Sequence, residues 1–177
     1  TSTSSSSSSS SSTGGTSCTG QTISVKTNFT NVITRTTAIW DTEKNLAYIP
    51  GGFGTTNGFS VTKEIFTYNP ITNSVSSIPS TLARADASSV WDPINKKGYV
   101  FGGSTSADGT DANAVLTDSI LQISNPGTVT VSTLTPKLPS ARRRTSSAWN
   151  PVNKKAYIFG GLTSSQVALD EIVEFDP

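Results

Sequence analysis

One phrase of sequence occurs three times in this chain. WDPINKKGYVFGG at 91–103 and WNPVNKKAYIFGG at 149–161 are nearly identical, and WDTEKNLAYIPGG at 40–52 is a weaker copy. In each copy the Tyr follows the Trp by 8 positions and a Gly pair begins 3 positions later, whereas successive copies are 51 and 58 residues apart. Fixed internal spacing with variable separation is typical of a repeated structural unit with insertions in its loops. The recurring residues are Trp40, Trp91, Trp149, Tyr48, Tyr99, Tyr157, Gly51, Gly52, Gly102, Gly103, Gly160 and Gly161.

Each copy predicts a β-hairpin followed by further strands. A short alternating run precedes each Trp, and the turns at 92–95 and 150–153 combine a Pro that presets φ with an Asn that tolerates a left-handed conformation. The second strands (LAYIP, KGYVF, KAYIF) end at the Gly pair, where the backbone bends or packs closely. Third strands follow (KEIFTYNP, DSILQISNP, DEIVEFDP), and SVSSIP and VTVSTL supply fourth strands. Four antiparallel strands in about 50 residues indicate a β-propeller blade, with the Tyr and Phe of each hairpin packed between blades.

The Gly-pair strands resemble those of the kelch repeat family. YIPGG, YVFGG and YIFGG carry the resemblance, together with third strands centred on Ile65, Ile120 and Ile172, and it covers about residues 22–177. Kelch units usually place a Trp in the outer strand, whereas this chain has Val75 and Val131 there and its Trp residues in the first strand. The resemblance implies an all-β fold of kelch-type propeller blades, closed into a ring of about five to seven.

The strand count predicts two complete four-stranded blades and most of a third. The blades span about 35–80, 84–136 and 142–177, and a strand at 22–26 has the spacing of the missing fourth strand. Residues 1–21 form a Ser/Thr-rich tract, disordered or extended, because it has too little apolar surface to offset the entropy of ordering it.

Three blades are fewer than a kelch ring contains. We favour a segment of a longer chain; alternatively, two copies donate residues 22–26 to each other and form a six-bladed ring, in which Ile23 and Val25 pair with the partner's third blade. Bare blade edges would also permit a filament built by strand pairing between copies.

Composition narrows the function classes. The chain contains no His, which removes the Ser-His-Asp triad and the common imidazole metal sites. Its formal net charge of +1 argues against broad attraction to nucleic acid, and no apolar run is long enough to span a membrane. Cys18 is the only cysteine, so an internal disulfide is excluded. We therefore predict no enzyme activity and no cofactor; the alternative is a fragment of an enzyme similar to galactose oxidase whose catalytic residues lie outside this chain.

The loops between second and third strands are the predicted binding surface, because propeller strands serve as scaffold. These loops span 53–63, 104–117 and 162–169. Two carboxylates in the middle loop give only a weak calcium signal, and an ordinary turn is the preferred interpretation. Consecutive arginines before the third unit form either a basic rim for an acidic protein or a sulfated glycan, or a strand that alternates between solvent and a neighbouring blade. The binding-surface candidates are Arg142, Arg143, Arg144, Asp108, Asp111, Phe53 and Phe59.

The Ser/Thr tract and a single sequon favour a location outside the cell. The tract resembles O-glycosylated stalks, and Asn28-Phe29-Thr30 is the N-glycosylation sequon. We predict an extracellular or wall-associated, non-catalytic module for adhesion, structure or binding of proteins or glycans, with a cytoplasmic adaptor as the rival interpretation. The candidate glycosylation sites are Asn28, Ser4, Ser5, Ser6, Ser7, Ser8, Ser9, Ser10, Ser11, Ser12 and Thr13.

Overall fold

The computed structural model describes residues 20, 22–54, 60–82, 84–105 and 114–177. The predicted Ser/Thr tract, Cys18, Phe59, Asp108 and Asp111 lie outside these ranges. The described residues form β-strands joined by turns, with no helix among them. The strands are β1 (Ile33–Thr34), β2 (Ile39–Asp41), β3 (Leu46–Pro50), β4 (Phe53–Gly54), β5 (Ser60–Val61), β6 (Glu64–Asn69), β7 (Ser74–Pro79), β8 (Ser88–Asp92), β9 (Lys97–Phe101), β10 (Ser119–Ser124), β11 (Thr130–Lys137), β12 (Ser146–Asn150), β13 (Lys155–Phe159) and β14 (Ile172–Phe175).

Three antiparallel sheets follow the predicted order of strands. Blade 1 is β2-β3-β6-β7, blade 2 is β8-β9-β10-β11, and blade 3 is β12-β13-β14. Each Trp lies in a first strand opposite a small residue of the second, as where Trp91 faces Gly98 and Trp149 faces Ala156. The first strands of neighbouring blades contact one another, so β8 lies between β2 and β12. The described residues therefore contain two complete blades and three strands of another.

The turn between first and second strands is built by the side chain that follows the Trp. The Oδ1 atoms of Asp41, Asp92 and Asn150 each accept a hydrogen bond from the amide two residues later, at 2.8 to 2.9 Å. The left-handed residue of the second turn is Lys96, with φ of 56°, and not Asn95 as predicted. Asn95 instead donates its side-chain amide to Asp92 at 2.7 Å, so its hydrogen-bonding capacity stabilises the turn while its neighbour makes the reversal.

The Gly pairs of blades 1 and 2 lie against the backbone of the next blade, which is a close approach of the kind predicted for these glycines. Gly51 has φ of 80°, and a Cβ there would lie 2.3 Å from the carbonyl oxygen of Arg84. Gly102 has φ of 58°, and a Cβ there would lie 2.5 Å from the carbonyl oxygen of Arg142. The following glycine in the second pair, Gly103, donates its amide to that same carbonyl at 2.8 Å. A side chain at either position would push the blades apart.

The apolar core lies between the blades. Ile39, Tyr48 and Ile65 of blade 1 pack against blade 2, whose contacting residues are Val100, Leu121 and Ile123. In the next interface the rings of Tyr99 and Phe101 meet Phe175 edge to face, at centroid distances of 5.0 and 5.5 Å. Burial raises the pKa of Tyr48 and of Tyr99 to about 12. These aromatic residues pack between blades as predicted; Phe159, by contrast, is 41% exposed.

The predicted strand at 22–26 is wrong for this structure. Residues 22–29 have no regular secondary structure, and Ile23 and Val25 are exposed. A strand needs a partner edge, and the described residues place none beside this segment. A small sheet that the sequence pattern did not predict, β1-β4-β5, lies at the end of blade 1 where its Gly pair is found.

Candidate functional site

The loop end of the blades, where second strands finish and first strands begin, carries a row of equivalent charged residues. Arg35, Asp86 and Arg144 each lie 5 positions before a Trp and have φ of 55° to 56°. The Asp86 amide donates to the carbonyl of Arg35 at 2.9 Å, and the Arg144 amide donates to the carbonyl of Asp86 at 2.7 Å. Backbone hydrogen bonds thus connect the three blades through residues that occupy the same position in each.

Asp86 is the electrostatic centre of this row. Its side chain is only 6% exposed and accepts hydrogen bonds on both oxygens from the Arg35 guanidinium, including one from Nε at 2.8 Å. Arg143 Nη1 lies 3.8 Å from the same carboxylate. A buried carboxylate is stable only when paired, and here two guanidinium groups from two other blades supply the pairing. The ionic contact therefore joins all three blades.

The Arg35 guanidinium also stacks on an aromatic ring. Its Cζ lies 4.7 Å from the centroid of Phe53, the first residue of β4. Phe53 is 2% exposed, so the prediction that it forms part of a binding surface is wrong. Its burial beneath a guanidinium fits a cation–π contact, which positions Arg35 for Asp86.

The predicted basic rim is wrong for two of its three arginines. Arg142 and Arg143 are 0% and 1% exposed, whereas Arg144 is exposed. Arg142 donates to Glu171 Oε2 at 2.6 Å, to Ser140 Oγ at 2.8 Å and to the Ser140 carbonyl at 3.2 Å. One planar guanidinium with several donors can satisfy these acceptors together, which explains why it is held inside the blade.

Arg143 anchors the loop of blade 3. Its backbone and that of Leu162 exchange two hydrogen bonds, at 3.1 and 2.8 Å, and its Nη2 donates to Gln166 Oε1 at 3.1 Å. The same loop is closed by the amide of Gln166, which donates to the carbonyl of Thr163 at 3.1 Å. The arginine run therefore fixes the predicted binding loop at 162–169 onto the blade end.

Hydroxyl groups link the first strands where the blades meet. Thr37 and Ser89 share a hydrogen bond at 2.6 Å between their Oγ atoms, and Ser147 donates to the carbonyl of Ser89 at 3.0 Å. Ser88 and Thr145 share another at 2.7 Å. The resulting groove, of about 300 Å³, is polar and uncharged; its lining residues are Thr36, Thr37, Ala87, Ser88, Ser89, Thr145, Ser146 and Ser147.

At the opposite, turn end a groove of about 350 Å³ separates blades 1 and 2. Lys96 crosses it to Glu43, at 2.9 Å, and Trp91 donates its indole Nε1 to Thr42 at 3.0 Å. In blade 3 the equivalent indole nitrogen, Nε1 of Trp149, is buried and has no partner among the described residues. Pro93 occupies the position that corresponds to Thr42 and has no hydroxyl to accept this hydrogen bond.

Asn28, the sequon residue, is exposed and lies beside Phe29 on the segment that precedes blade 1. Among the described residues, no three His, Cys, Asp or Glu side chains lie close enough to hold a metal ion. The same part of the chain has no helix with the length and hydropathy needed to cross a membrane. Of the predicted binding-surface residues that the structure describes, Arg144 is the exposed one.

Asp86 is the residue at this end that the sequence analysis missed. An isolated Asp before a strand carries no strong signal. The available signal was its offset of 5 from Trp91, which matches that of Arg35 and Arg144 from their own Trp residues. Three charged residues of mixed sign at one repeat position predict contacts between neighbouring units.

No protein-family model matches this chain. A search of curated proteins found no match either. A solved structure, "Structure of YjhT", matches with a TM-score of 0.58 at 14% sequence identity, covering 82% of this chain and 42% of that one. The chain thus spans less than half the length of this structural neighbour. The match and the sheet topology confirm the predicted all-β, propeller-like fold for the described residues, with two four-stranded blades and three strands of another.

Proposed function

We propose that this chain is part of a kelch-family propeller that acts outside the cell as a non-catalytic binding or adhesion module. Its partner is an acidic protein or an anionic glycan, recognised at the loop end of the blades. The observation that carries the proposal is the convergence there of the row Arg35, Asp86 and Arg144 with loops anchored to the blade ends.

The charge balance of the loop end supports an anionic partner. Three arginines and one aspartate meet there, namely Arg35, Arg143, Arg144 and Asp86, and these four side chains together have a formal charge of +2. An exposed guanidinium at the end of a rigid strand suits bidentate recognition of carboxylate or sulfate. The rigid backbone connection to Asp86 fixes where that charge is presented.

A charge-reversal experiment tests this proposal. We expect Arg144→Glu to weaken binding of the purified chain to immobilised heparin at least tenfold, a change of about 1.4 kcal/mol. Lys44→Glu is the matched control. Lys44 is exposed at the opposite, turn end of the blades, and its replacement by Glu changes the net charge by the same amount. Equal losses for the two variants would show attraction to net charge and contradict a site at the loop end. Arg144→Gln removes the positive charge without adding a negative one. Comparison with Arg144→Glu therefore separates the loss of the cation from the repulsion between the new carboxylate and heparin.

The proposed location rests on the Ser/Thr tract and on the exposure of Asn28. We expect secretion from a eukaryotic host to give a chain whose mass falls on enzymatic removal of N-glycans, and Asn28→Gln to abolish that fall. An unchanged mass in the wild type would contradict N-glycosylation at this sequon.

The exposed apolar side chains of blade 3 support a further proposal about partners. Phe159 and Ile172 are 41% and 68% exposed, whereas Phe101 and Ile120, their counterparts in blade 2, are buried. Apolar surface of this kind is normally covered in propellers by another blade. Further blades, from the same chain or from another copy, complete the ring.

A further inference from the structure

The turn-end groove between blades 1 and 2 lies where the first repeat departs from the other two. The turns of blades 2 and 3 read Pro-Ile-Asn at 93–95 and Pro-Val-Asn at 151–153, whereas residues 42–44 of blade 1 are Thr-Glu-Lys. Glu43 and Lys44 line the groove, so it has charged side chains where the other turns have an aliphatic residue and an Asn. Blades 2 and 3 form the same hairpin without these charges, so the fold does not require them.

The base of this groove is a hydrogen-bond network that joins the two blades. Asp41 lines the groove and is buried, and its Oδ2 accepts a hydrogen bond from the hydroxyl of Tyr48 at 3.0 Å. That hydroxyl accepts one from the side-chain amide of Asn125 at 2.8 Å. The Oδ1 atom of Asn125 also accepts a hydrogen bond from the backbone amide of Gly127 at 3.3 Å. The Asn125 side chain is therefore fixed at the groove, and Tyr48 takes one of its two N–H donors.

Trp91 forms the apolar wall of the groove. Its ring is partly buried, because it packs against the core between blades 1 and 2 and also lines the groove. The hydrogen bond from its Nε1 to Thr42 fixes the edge of the indole across the interface. An aromatic ring held in this way offers a flat apolar surface that loses little conformational freedom when a ligand binds.

The charged side chains of the groove are nearly balanced. The lining residues include two carboxylates and three lysines, a formal charge of +1; they are Asp41, Glu43, Lys44, Lys96 and Lys97. The ion pair between Lys96 and Glu43 joins side chains that are 61% and 43% exposed, so it contributes little stability and a ligand can displace it. The groove therefore presents hydrogen-bond donors and acceptors side by side, without a large excess of either charge.

We propose that the turn-end groove binds an uncharged sugar unit of a glycan. One face of a sugar ring carries C–H groups that pack on the ring of Trp91, and the sugar hydroxyls each donate and accept hydrogen bonds. Lys96 and the amide of Asn125 supply donors for these hydroxyls, and Glu43 supplies an acceptor. The groove volume of about 350 Å³ lies near the lower end of the range of roughly 300–1,000 Å³ found for ligand pockets, which suits one or two sugar rings.

The lining favours this class of ligand over an ion or an apolar molecule. An anion is best held by a clear excess of positive charge, whereas here two carboxylates lie among three lysines. An apolar molecule would remove these charged groups from water without replacing their hydrogen bonds. The inference does not rest on the loop-end proposal, because the two sites lie at opposite ends of the blades and their ligands differ in charge.

Calorimetric titration of the full 177-residue chain with neutral oligosaccharides tests the inference. The probes are oligomers of glucose, galactose, mannose and N-acetylglucosamine, and we expect at least one of them to bind. Trp91→Phe should weaken that binding at least tenfold, because the smaller ring loses contact area and the anchoring hydrogen bond to Thr42. Trp149→Phe is the matched control and should leave the binding unchanged, since Trp149 has the same repeat position in blade 3 and does not line the groove.

An exchange of turns between repeats provides a second variant. Thr42→Pro, Glu43→Ile and Lys44→Asn together give blade 1 the turn of blade 2 and leave the net charge unchanged. We expect this triple variant to bind the neutral oligosaccharide at least tenfold more weakly and to retain its binding of heparin. The inference would be overturned if no neutral oligosaccharide bound, or if the wild type, Trp91→Phe and the triple variant bound equally well. Competition between heparin and the oligosaccharide for the wild type would also overturn it, because the two ligands would then share one site.

Discussion

Replacement of Gly102 by Ala should destabilise the protein more than replacement of Gly160. The two glycines are equivalent and have nearly the same backbone conformation, with φ of 58° and 56°. An Ala in the left-handed region costs roughly 1–2 kcal/mol at either position. The Cβ at Gly102 would lie 2.5 Å from the carbonyl oxygen of Arg142 in the next blade, whereas at Gly160 the nearest atom is the carbonyl oxygen of Leu169 at 2.9 Å.

The additional cost at Gly102 comes from separating two blades. Relief of the contact with Arg142 requires movement of a backbone carbonyl that also accepts the Gly103 amide at 2.8 Å. Loss of that hydrogen bond costs about 1 kcal/mol, and strain in the packed interface adds about 1–3 kcal/mol. We therefore expect a free energy of unfolding lower by about 3–6 kcal/mol for Gly102→Ala and by about 2–3 kcal/mol for Gly160→Ala, where the Leu169 carbonyl must shift but no neighbouring blade is displaced.

Urea unfolding followed by far-UV circular dichroism measures both values. Gly51→Ala, which places a Cβ 2.3 Å from the carbonyl oxygen of Arg84, should resemble Gly102→Ala. Equal destabilisation at Gly102 and Gly160 would refute the reasoning, because the contact with the neighbouring blade would then add nothing to the cost.

Three further predictions concern buried polar groups. The pKa of Tyr48 is raised from its unfolded value of 10.0 to about 12. The protonated side chain therefore contributes stability that is present below pH 10 and is lost as the pH rises to 12. Replacement by Phe should flatten the dependence of the melting temperature on pH between these two values. Arg142→Met should lower the free energy of unfolding by about 3 kcal/mol in the same urea titration, because several acceptors lose a buried donor. Glu171, the partner of Arg142, is half-exposed, so Glu171→Gln should lower the free energy of unfolding by about 1 kcal/mol or less. Pro93→Thr should raise the free energy of unfolding by about 1 kcal/mol, because the new hydroxyl can accept a hydrogen bond from Trp149 Nε1, as Thr42 does from Trp91. An unchanged or lower free energy of unfolding would contradict this explanation of why the Trp149 indole nitrogen has no partner among the described residues.

The repeat spacing was sufficient to predict the blades. The interval from Trp to Tyr sets the length of the hairpin. In blades 1 and 2 the Gly pair lies at the contact with the next blade, and the Ile near the start of the third strand faces that blade. These features repeat because every blade packs against its neighbours in the same way. Three copies therefore show which positions are fixed by that packing, whereas a single copy would not. The repeat spacing was enough to predict the strand order within each blade and the burial of Tyr48 and Tyr99.

The buried arginines could not be predicted in this way. A run of three Arg residues has the composition of a solvated surface, and the acceptors that bury Arg142 lie at Ser140 and, across the blade, at Glu171. Their convergence depends on tertiary geometry. The two-residue strands of the small sheet are likewise too short for any periodic pattern, and the left-handed residues of the turns are Lys96 and its equivalent Lys154, a residue type that gives no signal for that conformation.

The backbone connection through Arg35, Asp86 and Arg144 has a consequence for how the molecule comes apart. Blade 2 is held on both sides by it, whereas blades 1 and 3 are each held on one side among the described residues. Loss of an outer blade breaks a single set of contacts, but loss of the middle blade breaks two. Among the described blades, blade 2 should therefore open last in mild denaturant, and the amides of β9 should exchange with solvent more slowly than those of β3 and β13.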